Sequence, residues 1–325
     1  MNHFLSYKGG LLILLLFCVT TFANACSKDI YFELYEEGNT VTIDYGTSKP
    51  SKPDSILTIS TFASLGFSHQ SAASFGDYAF FVTNGRSKIC MYNLAKKRKN
   101  CTLSLVGQNG NIYHSNQSSF GVEKYESVDH FPLLYISQRP KKGKRCFMEV
   151  YRIFPLYDEE MSDYESFYVD LVQTIYFPAM SRENSLGNVN CAIDPSGKYM
   201  YTYSRNNNLE DDNYGQCKVS KFIVPDLDSD SVVLEDTDIL SSFMIDCSAI
   251  NMQGGCIRDG ILYIGQGYSS AGYIYLNVID LEKQKLIKQY DLMNDYRVRW
   301  EPEGCFVYDG KLMLAHTSAI SKIEQ

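Results

Sequence analysis

One repeated unit constrains the fold of this chain more than any other feature of the sequence. Each copy begins with a polar residue, continues with small residues and about two turn residues, and ends in an aromatic-rich strand. Clear copies start at Gln70, Asn190, Gln253 and Glu303, and a looser copy starts at Asn116. Short strands separated by Gly, Asp, Asn and Ser are typical of β-sandwiches, barrels and propellers. Repetition at intervals near the roughly 40–50 residues of one blade favours a β-propeller.

The number of units predicts five blades. A second strand pair follows several units, most clearly at 273–281 and 285–292, so each repeat carries four strands. Six blades are the alternative if the insertion at 137–187 contains another. The last unit is short, and an open sheet edge invites aggregation. We therefore expect residues 55–62 to pair beside 318–324 and close the ring, with 55–325 as a single propeller domain.

The strand starts also carry a family resemblance. The strings Gln253-Gly254-Gly255 and Glu301-Pro302-Glu303-Gly304, with an Asp-Gly-x-Leu-Tyr strand at 259–263, resemble exported NHL-like and TolB-like β-propellers. The resemblance covers residues 65–325 and implies the propeller fold. Many members of that group are bacterial lipoproteins. Because one fold supports many functions, the resemblance does not specify a ligand or a reaction.

The N-terminus predicts export. Lys8 precedes the apolar run at 11–17, and Ala23-Asn24-Ala25 forms a small-x-small cleavage site, so residues 1–25 are predicted to be a signal peptide. Cleavage would leave Cys26 first, which resembles a lipoprotein whose N-terminal cysteine is acylated. Residues 26–54 would then be a tether and lead-in. The expected location is the cell envelope, as an outer-membrane lipoprotein, and the alternative is a soluble secreted or periplasmic protein.

The cysteine count and the net charge bear on the disulfides and the partners that this chain can have. Of ten cysteines, eight remain if Cys18 leaves with the signal and Cys26 is acylated, an even number that is compatible with disulfides. The predicted bridge joins Cys90 and Cys101, which flank a basic turn. The net charge of −8 argues against nucleic acid or an anionic membrane surface as a partner, so membrane contact is expected only through a lipid anchor. The basic runs at 96–99 and 141–145 are interpreted as solvated hairpin tips.

Polar residues are predicted to converge at the channel, because the first strand of each propeller blade lines it. The candidate binding residues are His69, Gln70, His114, Asn116, Asn190, Gln253, Glu301 and Glu303. Amides and carboxylates around a narrow pocket suit a hydroxyl-rich ligand, a peptide or one hard cation such as Ca²⁺. The alternative is that they hydrogen-bond channel water and cap turns. No cofactor is predicted, and the acidic run at 226–230 lacks the glycine and glutamate of a calcium loop.

Besides a purely structural role as an assembly partner in an envelope complex, two classes of function remain open. The first is a binding or scaffold protein that holds a glycan, a peptide or an envelope protein at the channel mouth. The second is a hydrolase or cyclase in which Glu303 acts as general acid and base, assisted by His69 or His114. Gln253-Gly254-Gly255 is similar to strand starts of five-bladed glutaminyl cyclases, in which a pocket glutamate moves protons.

Overall fold

The computed structural model describes residues 57–83, 88–105, 115, 117–138, 145–155, 167–177, 189–206 and 210–324. Within these ranges the chain is almost entirely β-structure, with two single-turn 3₁₀ helices at Asp236–Asp238 and Ser269–Ala271. The strands form five separate sheets arranged as the blades of a propeller, which confirms the all-β class and the predicted five blades. The predicted signal peptide and lead-in, together with Cys26, His114 and Asn116, lie outside the described residues.

Each blade has four antiparallel strands that neighbour one another in order from the inside outward, and the sheet of blade 2 has a fifth, parallel strand that is described below. Blade 1 is β2 (Ser71–Phe75), β3 (Tyr78–Val82), β4 (Lys88–Asn93) and β5 (Arg98–Ser104). Blade 2 is β6 (Gln117–Phe120), β7 (Leu134–Gln138), β8 (Phe147–Pro155) and β9 (Phe167–Tyr176). Blade 3 is β10 (Asn190–Ile193), β11 (Tyr199–Arg205), β12 (Gln216–Ile223) and β14 (Ser241–Ser248). Blade 4 is β15 (Met252–Arg258), β16 (Ile261–Tyr268), β17 (Tyr273–Asp280) and β18 (Lys285–Asp291).

Blade 5 closes the ring with a strand from the beginning of the described chain. Its strands are β19 (Pro302–Tyr308), β20 (Lys311–His316), β21 (Ala319–Glu324) and β1 (Thr58–Ser64). Strand β1 pairs antiparallel with β21, from Thr58 opposite Glu324 to Ser64 opposite Ala319. The predicted closure is confirmed. It covers the edge of β21 and ties the two ends of the propeller together.

The blades are held together by apolar side chains on both faces of every sheet. In β3, Phe80 packs toward blade 2 while its neighbour Phe81 packs toward blade 5, because successive side chains of a strand point to opposite faces. Both rings are fully buried. Five such clusters occur, one at each junction between neighbouring blades. This two-sided burial explains why the strands read as continuous apolar runs and not as alternating patterns.

A short crossing strand links blades 2 and 3. Between β12 and β14 the chain leaves blade 3, and β13 (Ser231–Val233) pairs parallel with the outer strand β9 of blade 2. Gln173 of β9 donates hydrogen bonds from Nε2 to the backbone oxygens of Asp226 (2.7 Å) and Ser229 (3.0 Å). Backbone oxygens of the acidic run at 226–230 therefore accept hydrogen bonds from the neighbouring blade 2.

The predicted disulfide between Cys90 and Cys101 is not formed, and all eight cysteines of the described residues are free thiols. A bulge between Met91 and Tyr92 shifts the β4–β5 register by one residue, so Cys90 lies opposite Thr102 and Cys101 lies opposite Met91. The two cysteine side chains consequently point to opposite faces of the blade. A disulfide needs Cβ atoms about 3.5–4.5 Å apart with vectors that converge, and this register does not provide them.

The described residues contain no helix that is long and apolar enough to cross a lipid bilayer.

Candidate functional site

The first strands of the five blades contact one another in a ring around the channel. Gln70, Asn190, Gln253 and Glu303 lie at or just before the starts of these strands, and all four are buried. In blade 2 the buried amide at this level belongs to Gln117, the residue after Asn116. Sequence reasoning did not select Gln117, because two adjacent amides gave no signal for which one begins the strand. We call this end of the channel the mouth.

Below the mouth, hydrogen bonds cross the axis of the propeller. Gln117 Oε1 accepts from the backbone N–H of Gly255 (2.6 Å), and Gln117 Nε2 donates to the backbone oxygen of Gly255 (2.8 Å). The Tyr203 hydroxyl lies 3.0 Å from Gln117 Oε1 and 3.1 Å from the backbone oxygen of Gln253. Asn190 Nδ2 approaches the Gln253 oxygen at 3.3 Å. We call these groups the axial network, and they join blades 2, 3 and 4 through the middle of the molecule.

The axial network requires glycine at position 255. A Cβ atom there would lie 2.3 Å from the backbone oxygen of Tyr263 and 3.1 Å from the hydroxyl of Tyr203. The absence of a side chain therefore lets the amide of Gln117 reach the backbone of the opposite blade. These hydrogen bonds span the channel, so a ligand entering from the mouth would meet the axial network.

Two hydrogen-bonded amide–carboxylate pairs lie at the first strands of blades 4, 5 and 1. Gln70 Nε2 of blade 1 donates to Glu303 Oε1 of blade 5 (3.0 Å), and Glu303 is fully buried. Gln253 Nε2 of blade 4 donates to Glu301 Oε1 (2.6 Å), and Glu301 is half-buried. Hydrogen bonds to carboxylates are the stronger kind, so each pair fixes the orientation of both partners. We call these the mouth pairs.

Two buried histidines lie at the junction of blades 5 and 1. The His69 ring packs against Phe81 (4.7 Å between centroids), and neither ring nitrogen has a hydrogen-bond partner in the described part of the chain. Burial, with a smaller contribution from nearby His316, lowers the pKa of His69 to about 3. Burial also lowers the pKa of His316 to about 4, while a hydrogen bond with the backbone of Trp300 opposes that shift. Both rings are therefore neutral at pH 7.

An exposed indole ring lies next to this polar layer. Trp300 is 54% exposed, and its ring centroid lies 6.0 Å from that of His316. The next residue along the chain is Glu301 of a mouth pair. Trp300 is the single tryptophan of the protein. An exposed ring of this size beside a polar pocket is a surface on which a ligand can stack.

The described residues contain no group of three or more His, Cys, Asp or Glu side chains arranged to hold a metal ion. Mouth carboxylates Glu301 and Glu303 each accept a hydrogen bond from a neutral amide. Planar donors and acceptors of this kind suit hydroxyl and amide groups.

The chain matches no protein-family profile and no curated protein. Several solved structures are similar to it. The oxidoreductase (glucose dehydrogenase) of Thermus thermophilus has 12% identity, with 83% of this chain and 100% of that chain covered and a TM-score of 0.45. The glutaminyl cyclase of Myxococcus xanthus has 9% identity, with 83% and 95% covered and a TM-score of 0.45. BamB from Moraxella catarrhalis has 8% identity, with 78% and 57% covered and a TM-score of 0.32. These similarities do not transfer an activity.

Proposed function

We propose that this protein is an exported binding protein that holds a glycan at the channel mouth. The observation that carries the proposal is the exposed ring of Trp300 directly beside the mouth pairs. A sugar ring presents an apolar face that can stack on an indole, and hydroxyls that both donate and accept hydrogen bonds. A propeller fold is compatible with a binding or scaffold role, and loops at the channel mouth commonly carry the function of such folds.

The geometry favours a ligand that lies across the mouth. The axial network spans the channel below, so the ligand reaches only the outer layer of polar groups. Glu301 is half-buried, and its Oε1 accepts a hydrogen bond from Gln253. Hydroxyl groups approaching from solvent can therefore bond to Glu301 while the ring stacks on Trp300.

The electrostatics do not favour the two buried histidines as partners of Glu303 in acid–base catalysis. A general acid or base works best when its pKa lies near the working pH. The pKa of His69 is lowered to about 3 and that of His316 to about 4, so both are weak bases. His69 also makes no hydrogen bond to Glu303. The proposed partner His114 lies outside the described residues.

The proposal is tested by screening the purified full chain on a glycan array and measuring hits by calorimetry. Trp300→Ala and Glu301→Gln are each expected to weaken binding, while Tyr168→Ala is the matched control. Tyr168 is 52% exposed on the outer strand of blade 2, away from the mouth. An equal loss of glycan binding in all three variants, or binding that survives Trp300→Ala unweakened, would contradict the proposal. Binding of short peptides in place of glycans, lost in the same variants, would identify a peptide site. Turnover of a bound ligand that is lost in Glu303→Gln would support the enzyme alternative.

Export and anchoring are part of the proposal and have their own test. We expect the chain to be cleaved after Ala25 and acylated on Cys26, with residues 26–54 as a tether. Labelling with radioactive palmitate in a bacterial host should mark the wild-type chain and leave Cys26→Ser unlabelled. Release of both chains into the soluble fraction without label would indicate a secreted or periplasmic protein instead.

A further inference from the structure

A second concave surface lies on the face of the propeller opposite the mouth. There, strand β19 ends in the turn at Asp309, and the β4–β5 turn of blade 1 approaches blade 5. The cleft between them has a volume of about 290 Å³. It is lined by Ser60, Thr61, Phe62, Lys97, Tyr308, Asp309, Lys311, Met313 and Lys322. We call it the basic cleft. Its volume is close to the lower end of the roughly 300–1,000 Å³ range of small-molecule sites.

The β4–β5 turn holds Lys97 over the cleft. The side chain of Asn93 accepts a hydrogen bond from the backbone N–H of Lys96 (2.7 Å), which fixes the turn, and Lys97 has a left-handed backbone with φ of 52°. The ammonium group of Lys97 lies 4.5 Å from the centre of the Phe62 ring. The basic run at 96–99 was expected to be a solvated hairpin tip. All four residues of this run are exposed, as that expectation requires, and Lys97 in addition contacts the neighbouring blade through Phe62.

The cleft is locally positive in a chain whose net charge is −8. Three lysines line it, and the only acidic residue in its lining is Asp309. Lys322 and Lys311 both face Glu324, at 2.8 and 3.9 Å, so they share one carboxylate. Lys97 forms no ion pair with any of the described residues. The lining residues and the adjoining Glu324 together carry three positive and two negative charges, and this excess of one positive charge attracts anions.

The other groups that line the cleft indicate the chemistry of a ligand that would fit it. Ser60 and Thr61 supply hydroxyl groups, which can donate hydrogen bonds to an oxyanion. The rings of Phe62 and Tyr308 meet edge to face with centroids 5.9 Å apart and form an apolar wall. Lysine ammonium groups bind phosphate as point charges without a fixed bidentate geometry. We propose that the basic cleft binds a phosphate monoester with a body about the size of a monosaccharide, independently of the mouth.

The test is calorimetric titration of the full chain with glucose 6-phosphate, inorganic phosphate and neutral glucose. We expect the ester to bind, glucose not to bind, and affinity to fall as salt rises from about 0.05 to 0.5 M, since salt screens exposed charges. Lys97→Met and Lys322→Met should each weaken binding about tenfold or more. Met keeps much of the apolar stem, so folding is preserved and is checked by the thermal unfolding midpoint.

Lys288→Met is the matched control. Its ammonium also lies over a ring, 4.9 Å from the centre of Tyr290 in blade 4, far from the cleft. Trp300→Ala serves as a second control and should leave this binding unchanged. Cosedimentation with vesicles containing phosphatidic acid distinguishes a lipid headgroup from a free ester. Vesicle binding lost in Lys97→Met would identify a membrane source of the phosphate, and binding of the soluble ester alone would identify a free one. Absence of ester and vesicle binding, or equal weakening by Lys288→Met, would overturn the proposal.

Discussion

Mild acid should destabilise this protein through His69 and His316. Both imidazoles are neutral in the folded state because burial lowers their pKa values, to about 3 and about 4. In the unfolded chain each returns to its ordinary pKa of about 6.5. Below pH 6.5 the unfolded state therefore binds more protons than the folded state. Stability is fully present above pH 6.5 and is lost as the pH falls toward the folded values.

The size of the effect at pH 5 follows from these values. The unfolded state gains about 2 kcal/mol per histidine between pH 7.5 and pH 5, because pH 5 lies 1.5 units below the unfolded pKa and one unit corresponds to about 1.4 kcal/mol. The folded pKa values lie below 5, so the folded state gains almost nothing there. The two histidines together should lower the free energy of unfolding by about 4 kcal/mol. His130, whose pKa is also lowered by burial, adds to the loss in the same direction.

Urea unfolding at pH 7.5 and pH 5 measures this loss, and His69→Leu separates the two contributions. The ring of His69 makes only apolar contacts with Phe81 and Phe67, so leucine retains the burial and removes the titrating group. The variant should lose only about 2 kcal/mol over the same pH range. A pH-dependent loss as large as that of the wild type would refute the assignment. So would an NMR titration in which the His69 ring protonates between pH 6 and 7.

Three further predictions concern the centre of the fold and its closing strand. The two substitutions are measured by urea unfolding, and the deletion is measured by light scattering. Gly255→Ala should cost about 1–3 kcal/mol, because the new Cβ would press against the backbone oxygen of Tyr263. Tyr203→Phe should cost about 1–3 kcal/mol, since it removes a buried hydroxyl from Gln117 and the backbone of blade 4. Deleting residues 57–64 removes β1 and exposes the edge of β21, so we expect aggregation, detected as increased scattering.

Much of the fold could be predicted from the sequence because the repeat is a local pattern. A polar strand start, a tight turn and an aromatic strand recur in each blade, and the short last unit predicted the closing strand. The features that the sequence did not reveal depend on contacts between distant residues or on single-residue shifts. Strand β13 has three residues and pairs with another blade, so no periodicity marks it. Without the bulge after Met91, Cys90 would lie opposite Cys101, and the sequence contains no sign of that bulge.

The sequence predicted which polar residues lie at the strand starts of the candidate site, but it did not predict the role of each residue. The repeat placed Gln70, Asn190, Gln253 and Glu303 at one end of the channel, and all four are buried there. Which of them are committed to internal hydrogen bonds depends on partners far away in sequence, such as Tyr203 and Gly255. Trp300 directly precedes the string Glu301-Pro302-Glu303-Gly304 in the sequence, but its exposure depends on how the connection between blades 4 and 5 folds.

The same position in the repeat therefore serves two purposes in different blades, and this division can be tested. In blade 2, Gln117 is committed to the axial network, and Gln117→Ala leaves the N–H of Gly255 buried without its acceptor. Such a loss should cost about 1–3 kcal/mol of stability with no direct effect on ligand contacts at the mouth. At the mouth itself, Glu301→Gln retains the shape of a half-buried side chain and should change stability little while it weakens glycan binding. Stability and affinity that fall together in both variants would show that the axial network and the mouth form one unit and would contradict this division.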